Sequence, residues 1–156
     1  MNLLKNIVKS GFTFGFIVGL LYLMMQCDYF PLDFLTPNDF KLDSSTHEFD
    51  VKTKQGTWIN ALSVNGSREQ YLGLPYNIDK DTVIYYNDYS VLYNKQKETV
   101  DIVEIIGEWF DIKRLDGYTT RISIDENSNI AERNIQIQIV TETVTRYITI
   151  NQKGKD

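Results

Sequence analysis

The chain has a single cysteine, Cys27, and a single histidine, His47, in 156 residues. One cysteine rules out an intramolecular disulfide framework. With so little Cys and His there is no ligand set for a zinc site. A hydrolytic triad would need a histidine base beside a nucleophile, and no G-x-S-x-G occurs, so His47 reads as an ordinary surface or edge residue. A P-loop and a dinucleotide fingerprint are both missing. Positive charge is scarce as well: 16 Lys and Arg stand against 21 Asp and Glu, a net charge of −5. Nucleic-acid phosphates need a basic counter-surface, so that class of partner is excluded. After residue 27 no segment repeats its apolar residues at the helical period of 3.6.

The charge that is present is unevenly placed. Residues 1–27 contain Lys5 and Lys9 and no acid, which leaves −7 for the remainder. The two lysines precede an uncharged run from Gly11 to Met25. Basic residues before an apolar run hold the N-terminus in the cytoplasm and send the C-terminal remainder of the chain across the membrane. The run is shorter than the roughly 20 residues of a spanning helix and suits the h-region of a signal peptide. Cys27 sits where the run stops, the position of a lipidated cysteine in a bacterial lipoprotein, although Gln26 stands where a small residue is expected. Two outcomes stay open, a lipoprotein signal peptide cleaved before Cys27 or an uncleaved signal anchor. Both predict a body attached to a membrane outside the cytoplasm. Residues 28–37 form a connecting segment interrupted by Pro31 and Pro37, which favour extended geometry before them.

From Phe40 onward the signals are those of strands. His47 to Thr53 alternates with Phe49 and Val51 on one face, and Thr57-Trp58-Ile59 opens another strand. Asn65-Gly66 is a tight-turn dipeptide, since both residues tolerate positive φ. Thr82–Tyr86 and Ser90–Tyr93 read as paired strands around Asn87-Asp88. Thr99–Ile106 reads as a strand buried at Val103 to Ile106. Strands at Trp109–Leu115 and Thr119–Asp125 follow, divided by Asp116-Gly117. Ile135, Ile137 and Ile139 then alternate with Asn134, Gln136 and Gln138, and the last strand sets Val144, Ile148 and Ile150 on one face with Gln152 in the same register. Short strands with turn signals every eight to twelve residues predict an all-β antiparallel β-sandwich over residues 38–156, preceded by the N-terminal hydrophobic signal or anchor helix.

Tyrosine is abundant, and six of the ten crowd into residues 71–93: Tyr71, Tyr76, Tyr85, Tyr86, Tyr89 and Tyr93. Sugar rings present C–H faces that stack on aromatic rings, and Asn77, Asp79, Asn87 and Asp88 could bond the hydroxyls. These six tyrosines are therefore the ligand-binding candidates, against the alternative that they pack in a half-buried sheet. Carboxylates such as Glu104 and Glu108 read as solvent-facing charges flanking a buried strand rather than a glycosidase pair. Asp125 to Asn129 offers oxygen ligands but lacks the glycine and terminal glutamate of a calcium loop. No metal, cofactor or catalytic residue is predicted.

Trp109-Phe110, a strand, Asn127 or Asn129, Arg133, a further strand and the closing Ile148-Thr149-Ile150-Asn151-Gln152 resemble the second half of the BACON domain. That family is an immunoglobulin-like module of exported proteins in glycan-degrading bacteria. The resemblance spans about residues 38–154 and is specific over the last 48; Phe110 replaces the usual leucine, and the middle is longer and richer in Tyr. It implies an immunoglobulin-like fold and a role in binding carbohydrate, without assigning binding residues. Trp109 is expected in the core on a strand between the sheets. Arg133 is expected to brace a turn through backbone carbonyls or through Glu126 or Glu132, and Gln152 to bond the backbone of a neighbouring strand. The function expected is a non-catalytic, membrane-attached binding or adhesion module for glycan, the alternative being a structural or protein-docking module of the cell envelope.

Overall fold

The computed structural model describes residues 38–155 apart from Gln55, Leu74, Tyr76, Asn77, Asp79, Lys97, Glu98, Glu142 and Thr143. The 1–27 segment with Cys27 and the connecting segment 28–37 lie outside the described residues.

All the regular structure described is strand. In chain order the strands are β1 (Asp39–Leu42), β2 (His47–Lys52), β3 (Trp58–Val64), β4 (Gln70–Tyr71), β5 (Thr82–Tyr85), β6 (Tyr89–Gln96), β7 (Thr99–Gly107), β8 (Phe110–Arg114), β9 (Thr119–Ile124), β10 (Arg133–Val140) and β11 (Thr145–Gln152). They form two sheets, β1-β11-β10-β3-β4 and β2-β9-β8-β7-β6-β5. The fold is thus an all-β, two-sheet sandwich. The period-two alternation decides what faces inward. Ile135, Ile137 and Ile139 of β10 are buried against Ile148 and Ile150 of β11 and against Ile112, Ile122 and Ile124 of the other sheet's strands. Each such side chain withdrawn from water contributes roughly 1.5–3 kcal/mol.

Three local readings need correction. β1 pairs with β11 in parallel, Asp39 opposite Thr149 and Leu42 opposite Gln152, so the sandwich is not wholly antiparallel. The chain runs beside β11 and then crosses to the other sheet through a turn in which Asp43 Oδ1 accepts from Ser45 N at 2.8 Å. Within β7 burial does not run from Val103 to Ile106. A register shift at Leu92/Tyr93 places Glu104 opposite Leu92 and Ile102 opposite Tyr93. That bulge turns Ile102 and Ile105 inward and leaves Ile106 exposed. Trp109 is buried but belongs to the β7–β8 turn, and β8 begins at Phe110. The Asn65-Gly66 turn is as expected, with φ of 50° and 69°.

Candidate functional site

The six tyrosines do not form one surface. Tyr89 and Tyr93 are inward residues of β6 and belong to the core. The Tyr93 hydroxyl donates to Leu72 O at 3.0 Å, joining the two sheets at the β4/β5 side, and lies 3.4 Å from the Tyr86 hydroxyl. Tyr86 stacks on Tyr89 with ring centroids 5.1 Å apart. Burial pushes the hydroxyl pKa of both Tyr89 and Tyr93 upward, so neither ring is poised to meet a ligand. Among the described members of the set only Tyr71 and Tyr85 are well exposed, and they sit on different sheets. Tyr76 lies outside the described residues. Tyr93→Phe should lower stability by about 1 kcal/mol in urea titration through loss of the inter-sheet bond, a value near zero showing that the bond does not tie the sheets.

The outer face of β11-β10-β3-β4 brings together residues that are far apart in the sequence. Tyr71 is opposite Ala61, Ala61 opposite Gln138, and Gln138 opposite Tyr147. Directly opposed residues share a face, so the row begins and ends in tyrosine, roughly 14 Å apart across three strand spacings. Trp58 lies on the same face opposite Val140, two residues along β10 from Gln138, or about 7 Å. Trp58 and Tyr147 are part-exposed and Tyr71 is 62% exposed, so the rings stand over a shallow floor with Ala61 in it. A register shift between Gln138 and Ile139 marks the bulge that adds Asn60 to this face.

Gln138 organises the floor. It is only 6% exposed although it points away from the core. Its Nε2 donates to the Tyr147 hydroxyl at 2.8 Å and to Glu69 Oε1 at 3.1 Å, while its Oε1 accepts from Asn60 Nδ2. One amide therefore holds side chains from β3, the β3–β4 connection and β11 in fixed positions. The Tyr147 ring, held beside amide and carboxylate groups, is preorganised for a polar ligand with apolar faces, and Trp58 and Tyr71 share its face. Of this face Tyr71 is among the residues legible in the sequence as candidates, whereas Trp58, Asn60, Glu69, Gln138 and Tyr147 are not. Strand parity was the available signal, because Trp58 precedes inward Ile59 and Tyr147 precedes inward Ile148.

Arg133, Trp109 and Gln152 meet at one end of the sandwich. The Arg133 guanidinium lies 4.3 Å over the Trp109 ring, its Nε donates to Gln152 Oε1 at 2.8 Å, and its Nη2 donates to Asp125 O. Gln152 Nε2 in turn donates to Ser45 O at 2.8 Å and Asp125 O at 3.0 Å. Burial pulls the Arg133 pKa down. The backbone half of the Arg133 expectation matches this geometry. Of the alternatives expected for it, a backbone carbonyl or a carboxylate such as Glu126 or Glu132, it meets the carbonyl of Asp125, and Glu126 pairs with Lys155.

His47 Nε2 is 2.9 Å from Asp43 Oδ1 and 3.3 Å from Ser45 Oγ. A triad uses the two imidazole nitrogens separately, one for the nucleophile and one for the carboxylate. Here one nitrogen serves both, which is a turn cap. Hydrogen bonds from the Ser45 hydroxyl and backbone, followed by His47, lower the Asp43 pKa to about 2. Asn127 turns fully inward, donating to Ala131 O and Lys153 O while its Oδ1 accepts from Asn129 N, so it is committed to the loop rather than to a metal. Glu104 pairs with Lys113 across β7 and β8 at 3.1 Å. A shallow depression of about 650 Å³ beside β1 carries Lys41 and Lys153 against Asp43 and Glu132, with no ring to stack on.

No family model matches the chain. No match was found among curated proteins. An NMR structure of a protein from Bacteroides thetaiotaomicron is similar in fold, with a TM-score of 0.51 and 13% sequence identity over 80% of this chain and 82% of that one. At that identity the likeness bears on the fold alone.

Proposed function

We propose that the protein is a non-catalytic, membrane-attached module outside the cytoplasm that binds carbohydrate. In this reading residues 38–156 form an immunoglobulin-like sandwich of BACON type, and residues 1–27 deliver and tether it, by Cys27 lipidation or as an anchor helix. The observation that carries the binding proposal is the face of Trp58, Tyr71 and Tyr147 with its Gln138-centred polar network. Gln138 serves no core contact there, and ordering several polar side chains toward solvent costs entropy that folding does not require. A ligand that stacks on the rings and bonds Asn60, Glu69 and the Tyr147 hydroxyl would use that order.

The test is titration of the protein against a panel of neutral polysaccharides and oligosaccharides. Trp58→Ala or Tyr147→Ala is expected to weaken binding roughly tenfold, equal to about 1.4 kcal/mol. Tyr85→Ala, on the other sheet, should leave affinity unchanged. Absence of binding to every glycan would reject the function. Binding that survives loss of Trp58, Tyr71 and Tyr147 would reject the site while keeping the function.

A further inference from the structure

Among the described residues the other sheet ends in an edge strand, β5, without the usual protection. Edge strands are normally blunted by charge, proline or a covering segment, because their free N–H and C=O groups pair with other strands. β5 reads Thr82-Val83-Ile84-Tyr85, with no charge and no proline, and among the described residues no strand pairs with its outer side. Its outward side chains are apolar. Tyr85 is 82% exposed, Val83 is nearly half-exposed, and the row through Ser90 ends at exposed Ile106 of β7.

The hairpin geometry shows which backbone groups are free. Tyr86 N donates to Tyr89 O at 2.8 Å, and Tyr85 is opposite Ser90 and Ile84 opposite Val91. Hydrogen-bonded and non-hydrogen-bonded pairs alternate in an antiparallel ladder, so Ile84 bonds β6 while Val83 and Tyr85 direct N–H and C=O away from the sheet. Lys80 and Asp88 are both exposed and lie four residues to either side of Ile84.

We propose that this edge is a homodimer interface in which β5 pairs antiparallel with β5 of a second copy about a two-fold axis at Ile84. That register sets Val83 of one copy opposite Tyr85 of the other, the two residues whose backbone groups are free. It closes one sheet onto the other with the exposed apolar row continuous across the junction. It also brings Lys80 of each copy to the turn bearing Asp88 of its mate, an opposite-charge contact made twice by symmetry. A foreign strand would have no reason to reproduce this self-complementary spacing of charges about the strand centre.

The experiment uses the full chain in detergent, with Cys27→Ser removing the other thiol. Opposed residues in the proposed register are about 5.5 Å apart at Cα, within disulfide reach, whereas Val83 and its own copy are offset by two residues and about 8–9 Å apart. Mild oxidation is expected to cross-link Val83→Cys chains mixed with Tyr85→Cys chains, and neither variant alone. Cross-linking of either variant alone would overturn the register, and no cross-linking in the mixture would overturn the interface. Sedimentation gives the second measurement. Lys80→Asp should weaken the dimer about twofold to thirtyfold, the range for two exposed ion pairs, and adding Asp88→Lys to the same chain should restore it. A chain that sediments as a monomer, or a double variant no better than the single, would overturn the proposal.

Discussion

Gln152→Ala is expected to lower the unfolding free energy by about 3 kcal/mol, read as a shifted midpoint in urea at unchanged slope. The side chain is 1% exposed and makes three hydrogen bonds, to Ser45 O, Asp125 O and Arg133 Nε. Alanine offers no replacement, so Ser45 O and Arg133 Nε lose their partner, while Asp125 O keeps the bond from Arg133 Nη2. Each orphaned buried group costs about 1–3 kcal/mol, reduced here by relaxation at the end of the sandwich. The junction ties the β1–β2 turn, the loop after β9 and the last two strands, so its loss should be felt globally. Arg133→Met tests the same unit from the other side. The double variant is expected to fall short of the sum of the two single effects by about 1 kcal/mol, because both remove the same bond. A Gln152→Ala loss below about 1 kcal/mol would mean that the junction does not clamp these segments.

Gly107→Ala should cost a similar amount, about 3 kcal/mol, by a steric route. A Cβ at residue 107 would meet the nearest carbon of the Phe110 ring far within van der Waals contact. Phe110 is buried and meets Trp109 edge-on, with centroids 5.2 Å apart and planes at 77°, and Arg133 covers the other ring. The phenyl group therefore has nowhere to swing, and the β7–β8 turn must open instead. Gly117→Ala is the control: nothing lies within 4 Å of its added methyl, so the change should stay within about 0.5 kcal/mol. Equal stability of the two variants would show that the turn yields and that the close packing at Phe110 is not required.

The strands were legible where one face is buried and the other wet. Isoleucines at 135, 137 and 139 stand in a period that only an inward-facing strand explains, and the structure buries all three. Arg133 was legible as a bracing residue, whereas Gln152, expected to bond a neighbouring strand, bonds the carbonyls of Ser45 and Asp125 outside the strands and pairs with Arg133. The tyrosine cluster was misleading because closeness in sequence says little about facing. Tyr89 and Tyr93 share inward parity and vanish into the core, while Tyr71 and Tyr85 belong to different sheets. The bulge in β7 was equally hidden, since an extra residue changes parity without changing composition.

The amino-acid sequence by itself determined local features: which segments are strands, where the Asn65-Gly66 turn falls, and which side chains are driven from water. Each arises from steric and hydrophobic preferences acting over a few residues. The tertiary structure alone decided which strands became neighbours and in what register. That choice set β1 parallel to β11, brought Trp58, Tyr71, Gln138 and Tyr147 onto one face, and left β5 at an edge. Pairing is settled by contacts between residues far apart in the chain, such as Asp39 and Thr149, and a period of two along the chain contains no record of its partner.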